Sequence, residues 1–435
     1  MPTRVLDIDI ARPLPDGWDA PGYREALVLV RWHGRVLSTL RVPCVDGRVR
    51  GQDVRAAAAD DRATAERLTG HALRGWLLGP AAPSAWGELP AGAPSWSVIV
   101  CTRDRTDDLR RCLDSLLALD APPGEIVVVD NAPSDDATAR LVAGYAAAER
   151  GGHRVRYERE DRPGLNWARS RGARAAGGEI VAYTDDDVVA DAGWVARLLE
   201  PFADPRVAAA SGLARPLELE TEAQELFERY GGFSRGLRPQ TFDVLTLAPA
   251  AAGRAGAGAN MAFRRALVNE MALFDVEMDG GTVTHSGGDT YAFYRLLLDG
   301  YRIAYTPDAL VWHRHRRDHA SLRRTLYGYS VGGFAFLTRC LVQHRDAEAV
   351  GIAFEWLVDD HVRLLARVLL RRRSALPADL VLAYWRGVFV GPLAYFRSRR
   401  RERRLLASAP PAPRGEEAGE STGPRKLAPS KVTGR

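Results

Sequence analysis

Glu179-Ile180-Val181-Ala182-Tyr183-Thr184-Asp185-Asp186-Asp187 decides the reading of this chain. A mostly apolar run of strand length passes without a break into three carboxylates. Such a run predicts a strand covered on both faces, as in parallel sheets. Three aspartates at one strand end repel one another unless positive charge is brought to them. A hard divalent cation with oxygen ligands relieves that repulsion and keeps positions open for phosphates. The competing reading is a solvated acidic turn, with Asp191 capping the helix that follows; the apolar strand in front favours the cation.

The chain on either side repeats the pattern. Upstream, Ser97 to Cys101 is a short apolar run, and Leu109, Cys112, Leu113, Leu116 and Leu117 recur at helical spacing. Glu125 to Val129 forms a second run that ends at Asp130-Asn131. Ser134 is placed to cap a helix carrying Leu141, Val142 and Tyr145, and a third strand is expected near Val155 to Tyr157. Strands alternating with helices predict a mainly parallel sheet covered on both faces. Such sheets bind ligands at the carboxyl ends of their strands, where Thr102, Asp130 and Asp185 fall. Downstream, Arg215 to Gly258 resists assignment and reads as a loop-rich acceptor region. The small residues Gly256 to Met261, ahead of a helix expected near Arg264, either let backbone approach a sugar closely or form a plain turn. A helix is expected from Asp289 to Leu298 with Gly300 as its stop. Two short strands follow, Ile303 to Tyr305 and Ala309 to Trp312, and then largely helical sequence from Leu322 to Ser398.

With 435 residues and 46% apolar content, the chain has the material for a globular catalytic-sized domain with additions. A formal charge of +5 is modest for this length, and no nucleic-acid partner is expected from it. Cys44, Cys101, Cys112 and Cys340 lack the spacing of a zinc site and suit reduced thiols. No signal-like start and no long uncharged apolar stretch is visible, so a cytoplasmic location is expected, peripheral to the membrane at most. Residues 1–94 read as a small α+β module and linker, with a hairpin around His33-Gly34 and helical sequence from Asp53 to Leu78. Residues 95–320 form the catalytic domain, 321–404 a helical extension and 405–435 a disordered tail. Leu376 to Phe396 is apolar but broken by Asp379, Arg386 and Pro392, and Arg397, Arg399, Arg400 and Arg401 follow. Two readings stand level there: an amphipathic anchor on anionic membrane, or a helix packed on the catalytic domain.

The stretches SVIVCTRDRTDDLRRCLDSLL, EIVVVDNAPSDDAT, RPGLNWARSRGARAAGGEIVAYTDDD, GAGANMAFRRA and GGDTYAFYRLLLDGYRIAYTPDALVWHRHR occur in this order between Ser95 and Arg316. Together they resemble family 2 glycosyltransferases. The resemblance implies the GT-A fold, a nucleoside-diphosphate-sugar donor, a glycan or lipid-linked acceptor, and an inverting mechanism assisted by Mn²⁺ or Mg²⁺. It implies nucleotide contacts from Thr102, Arg103, Asp130, Asn131, Arg169, Asp185 and Asp186. Asp185 and Asp187 take the Asp-x-Asp spacing of the metal site, and His313, after Trp312, is in position to complete it. Asn131 stands where the family has a second acidic residue, which leaves the base open. Asp289 is implied as the general base, with Gly288 where the family commonly has Glu. No Gln-x-x-Arg-Trp follows Asp289, which speaks against a processive synthase.

The residues alone give rival readings. Asp289 is also placed to cap its helix, Arg169 to lie on a solvated helix face, and His313 to sit as a surface histidine beside Arg314, Arg316 and Arg317. A nucleotidyltransferase or a non-catalytic binding relative remains the alternative to a transferase.

Overall fold

The computed structural model describes residues 2–78, 94–121, 123–147, 154–370 and 376–408. Residues 79–93, read as linker, and 409–435, read as tail, lie outside the described residues.

The N-terminal module contains β1 (Thr3–Asp9), β2 (Gly17–Asp19), β3 (Glu25–Trp32), β4 (Arg35–Pro43) and β5 (Arg48–Arg50), followed by α1 (Gly51–Asp60) and α2 (Arg62–Leu78). The hairpin turns at His33 and Gly34, both at positive φ, and pairs β3 with β4 antiparallel. β1, not anticipated, adds in parallel to β3. The stretch expected as one helix is two, broken at Asp61. That residue's carboxylate accepts the Thr64 backbone N–H at 2.7 Å and so caps α2.

The central domain runs β6 (Trp96–Thr102), α3 (Thr106–Leu117), β7 (Glu125–Asn131), α4 (Ala137–Ala147), β8 (Arg154–Glu160), α5 (Leu165–Ala175), β9 (Ile180–Asp185), β10 (Val188–Ala190), α6 (Trp194–Leu199), β11 (Val207–Pro216), α7 (Glu222–Tyr230), β12 (Gln240–Phe242), β13 (Asn260–Arg264), α8 (Arg265–Glu270), α9 (Gly288–Leu298) and β14 (Arg302–His313). Its sheet has the order β10-β14-β11-β13-β9-β6-β7-β8, with β12 on β14. β8, β7, β6 and β9 are parallel. Alternation along β7 sends Val127 and Val129 to the layer of α5 and α9. Ile126 and Val128 go to the layer of α3 and α6.

β13 runs antiparallel to both β9 and β11. This reversal sets Asn260 beside Thr184, so the Gly256–Ala259 loop feeds in next to the aspartates. The helix expected near Arg264 begins one residue later, and the residues before it are strand. The two short strands expected after Gly300 are one, β14, with a break in register against β11 where Pro307, Asp308 and Ala309 are skipped. Proline lacks the N–H a ladder needs, and a bulge absorbs it. Ser134 does not cap α4; its hydroxyl and N–H both go to Asp104 Oδ1 at 2.9 Å.

α10 (His319–His344), α11 (Glu348–Trp356), α12 (Arg363–Leu369) and α13 (Ala378–Ser408) complete the described chain. α13 continues through residues 405–408, four residues that the sequence reading gave to the tail. Among the described residues no helix is long and apolar enough to cross a membrane.

The N-terminal module is fastened to the central domain. Arg31 donates to Asp7 and to Asp191 at 2.6 Å each. Val36 N–H donates to Asp308 at 2.8 Å, and Leu29 and Val36 pack on Leu213 and Leu310. Asp191, a candidate helix cap in the sequence, serves chiefly as this anchor.

Candidate active site at the carboxyl ends of the strands

β9 ends at Asp185, and Asp186 and Asp187 turn directly into β10. β10 pairs with the end of β14, which sets His313 opposite Val188. Two segments more than a hundred residues apart are thereby brought together. Ligand atoms of Asp185, Asp187 and His313 all lie within 4.8 Å of one another.

Each carboxylate of the triplet has a different environment. Asp186 is buried, accepting from the Thr102 hydroxyl at 2.8 Å and from Arg105 at 2.5 Å. Burial and the neighbouring Asp187 push its pKa up to about 7. Asp187 is buried as well, but His313 and Arg105 outweigh the cost of burial and hold its pKa well below the usual carboxylate range. Its Oδ2 accepts from Arg105 at 3.0 Å. Its Oδ1 faces His313 Nε2 at 3.2 Å and has no aligned hydrogen-bond donor. Burial and Asp187 raise the pKa of Asp185. Desolvation would lower the His313 pKa, but Asp187 more than offsets it and the net shift is upward. An orphaned buried carboxylate oxygen, a second carboxylate and an imidazole nitrogen make an O, O, N donor set that fits Mn²⁺ or Mg²⁺.

His313 is itself held. Its Nδ1 is 3.0 Å from His315 Nδ1, His315 Nε2 is 3.2 Å from Glu228 on α7, and Arg215 pairs with Glu228 at 2.8 Å. When the neutral His313 ring carries the proton shared between the two Nδ1 atoms, its Nε2 is free to bind a cation; when His315 carries it, His313 Nε2–H points to Asp187.

Asp289 opens α9 behind Gly287, which has φ 102°. Its Oδ2 accepts the Gly258 N–H at 2.6 Å and its Oδ1 accepts the Thr290 N–H at 2.8 Å. A side chain at Gly258 would lie 2.6 Å from Arg169 Nη2 and 3.2 Å from Asp289 Oδ2, so only glycine fits between them. Arg169 is buried, not on a solvated face, and donates to Asp279 at 2.6 Å. The fields of Asp279, Asp289 and Asp185 raise its pKa against the cost of burial. Gly288 likewise has no room: a Cβ there would meet Asn166 at 2.3 Å and Asp279 at 2.4 Å. A carboxylate from elsewhere in the chain, Asp279, occupies the space beside this glycine. Desolvation pushes the Tyr329 phenol up, and the fields of Asp185, Asp289 and Asp187 add to the shift. One loop joins the two acidic groups: Gly258 N–H donates to Asp289, and Ala259 O accepts from the Thr184 hydroxyl at 2.9 Å, one residue before Asp185.

Asp130 ends β7 with Oδ2 on the Tyr157 hydroxyl at 3.1 Å and Oδ1 buried without a hydrogen-bond partner. Asn131 is committed to its own loop: its amide donates to Arg162 O at 2.8 Å and accepts from Gly164 N–H at 2.9 Å. Arg103 has a side chain 54% exposed and lies 3.6 Å from Asp104. Asp104 has φ 54°, and this turn sends Arg105 back to the aspartates. Arg105, Asp279, His315 and Glu228 are the residues that the sequence reading missed. Alternation along an extended chain places residues 313 and 315 on one side, a signal that His315 did carry. Asp279 carried none, because only the packing of α5 against the 275–288 loop brings it to Arg169.

The strand ends of this α/β sheet thus gather acids, imidazoles and arginines, with a donor set that could hold a divalent cation. Residues 97–270 match the family model described as glycosyl transferase family 2, and this segment belongs to that family. Over 275 residues the chain is 28% identical to pre-mycofactocin glycosyltransferase of Mycobacterium tuberculosis, covering 60% of this chain and 51% of that protein. Over 229 residues it is 24% identical to glucosyl-dolichyl phosphate glucuronosyltransferase of Haloferax volcanii, covering 50% of this chain and 68% of that one. The chain thus spans about half the length of the mycobacterial relative. Among solved structures, the mannosyltransferase PcManGT from Pyrobaculum calidifontis in complex with GDP-Man and Mn²⁺ aligns with a TM-score of 0.44 at 19% identity, over 80% of this chain and 86% of that one.

Proposed function

We propose that this protein transfers a sugar from a nucleoside-diphosphate donor to a hydroxyl of a glycan or lipid-linked acceptor, with inversion at the anomeric carbon. The observation that carries the reading is the Gly258-Ala259 loop, which joins the two acidic groups: Gly258 N–H donates to Asp289 at 2.6 Å, and Ala259 O accepts from the Thr184 hydroxyl at 2.9 Å, one residue before Asp185 of the Asp185, Asp187 and His313 cluster. Asp289 takes the proton of the acceptor hydroxyl as that oxygen bonds to the anomeric carbon and the bond to the diphosphate breaks. A single base on one side and a diphosphate leaving group on the other require only one displacement, hence inversion. The Gly258 and Thr290 amides hold the Asp289 carboxylate in place. Arg169 sets a fixed positive charge between the two groups of acids. Asp185, Asp187 and His313 would hold a divalent ion, which would supply positive charge to neutralise the departing diphosphate. Arg316, 3.7 Å from Asp187, is near enough to meet a phosphate there. Asp130, near the carboxyl end of β7 beside the Tyr157 hydroxyl, stands on the side that receives the base. Thr102 and Asp186 brace the nucleotide side from beneath, Asn131 shapes the loop over it, and Arg103 stands at its rim. The name of the haloarchaeal relative, a transferase acting on a dolichyl phosphate glycan, supports a lipid-linked acceptor.

The test is a panel of UDP-, GDP- and dTDP-sugars incubated with Mn²⁺ or Mg²⁺ and a mixed glycan and glycolipid acceptor set, with product anomers read by NMR. Transfer that stops on chelation and gives an inverted linkage is expected. Transfer that persists in EDTA sinks the metal assignment, and a retained anomer sinks the single displacement.

A further inference from the structure

α13, which covers most of Leu376 to Phe396, has two unlike faces. On one face α13 is locked onto α10. A side chain at Gly387 would meet Ser330 Cβ at 2.4 Å, and one at Gly391 would meet Phe334 Cβ at 2.6 Å, so the helices touch backbone to backbone. Val381, Ala394 and Tyr395 are buried there. On the other face Leu382, Phe389, Leu393 and Phe396 are 64%, 69%, 57% and 50% exposed. At 100° per residue these four fall within roughly 60° of one another. The lock on α10 prevents this stripe from turning inward.

Beyond Asp379, which pairs with His319 at the start of the helix, the exposed charge along the same face is positive. Arg386 lies within the stripe, and Arg400, Arg403 and Arg404 continue it, all exposed. Among the described residues no carboxylate is within ion-pair distance of any of these four. Exposed apolar side chains alone attract many partners. Joined to arginines that have no carboxylate partner among the described residues, on a helix that cannot rotate, they fit one surface, a bilayer whose headgroups are anionic and whose interior takes the apolar side chains.

We infer that the outer face of α13 is a docking surface for anionic phospholipid membrane, and that it sets the active site at the lipid surface. The basic end of the helix lies beside the site. Arg401 donates to Gly281 O at 3.2 Å, in the turn that follows Asp279, the partner of Arg169. This inference rests on the proposed transfer only in its second half, the access of a lipid-linked acceptor.

The experiment is co-sedimentation of the full chain, without donor or metal, with phosphatidylcholine vesicles and with vesicles that also contain phosphatidylglycerol. Because no turnover is read, loss of binding leaves the transfer reading standing, and an inactive enzyme leaves the docking reading standing. Binding to the anionic vesicles only is expected, weakened by salt. It should fall by about tenfold or more in Phe389→Glu/Leu393→Glu, and also in Arg400→Glu/Arg403→Glu. These positions are exposed, and a circular-dichroism melt like that of the parent verifies the fold. Equal binding to neutral vesicles overturns the charge argument, and binding unchanged in both variants overturns the face. A dimer by light scattering that Phe389→Glu/Leu393→Glu dissolves, with no vesicle binding by the parent, overturns the proposal in favour of a contact between copies.

Discussion

The two ends of the site are built on different principles. At the Asp185–Asp187 end, charge is held by charge: Arg105 spans Asp186 and Asp187, His313 faces Asp187, and His315 and Glu228 stand behind His313. At the Asp289 end the carboxylate is held by two backbone amides. The first arrangement suits a group that must stay fixed and charged around a cation. The second orients a carboxylate while leaving it lone pairs with which to accept a proton. Fixed dipoles and fixed charges thus divide the work, and removing one should leave the other standing.

The largest expected effect comes from the amide-held end. Asp289→Asn keeps the shape but not the basicity, and transfer should fall by about 10²–10⁴-fold. Mn²⁺ affinity, measured by electron paramagnetic resonance, should stay near that of the parent. If metal binding fell in step with transfer, the two ends would be a single unit and the contrast between them would be lost.

A smaller effect is expected from behind the metal-binding end. His315→Ala removes the group that fixes the ring of His313 and should weaken Mn²⁺ binding by about 10–100-fold. Glu228→Gln should act in the same direction, through His315. Unaltered Mn²⁺ affinity in both variants would reduce the pair to packing.

The smallest effect is a dependence on pH. In the metal-free protein the raised pKa of His313 means that its pairing with Asp187 is fully present below the ordinary histidine pKa and fades as pH rises through the raised value. Asp187, held low, contributes above the ordinary carboxylate pKa and loses that contribution in acid. A cation competes with the proton on Nε2, so Mn²⁺ affinity should rise with pH, by about tenfold per unit below the His313 pKa. The rise in Tm on adding Mn²⁺ should accordingly be larger near pH 8 than near pH 6. The same shift at both would remove His313 from the ligand set.

Much of this was legible before any coordinates. Alternating apolar runs and helical spacings were enough for the order of elements from β6 to β9, because strands covered on both faces have little choice of composition. Asp130, Asp185 and Asp289 were visible because each ends a strand or opens a helix, where a polar residue has a reason to stand. Arg103 was singled out ahead of Arg105 because composition cannot reveal a left-handed residue at Asp104. Asn131 was read toward the base, yet its amide is engaged by the 160–164 loop, a contact between segments about thirty residues apart. β14 looked like two strands because Pro307 interrupts the pattern, whereas a bulge carries the ladder past it.

The sequence by itself determined the layering of the domain and the acidic strand end, since both follow from local periodicity and from carboxylates set side by side. Only the tertiary structure decided which charges meet: His313 with Asp187, Asp279 with Arg169, Glu228 with His315, and the outward face of α13. Those pairings depend on where β13 reverses and how closely glycines let helices approach, and neither is written in any window of neighbouring residues.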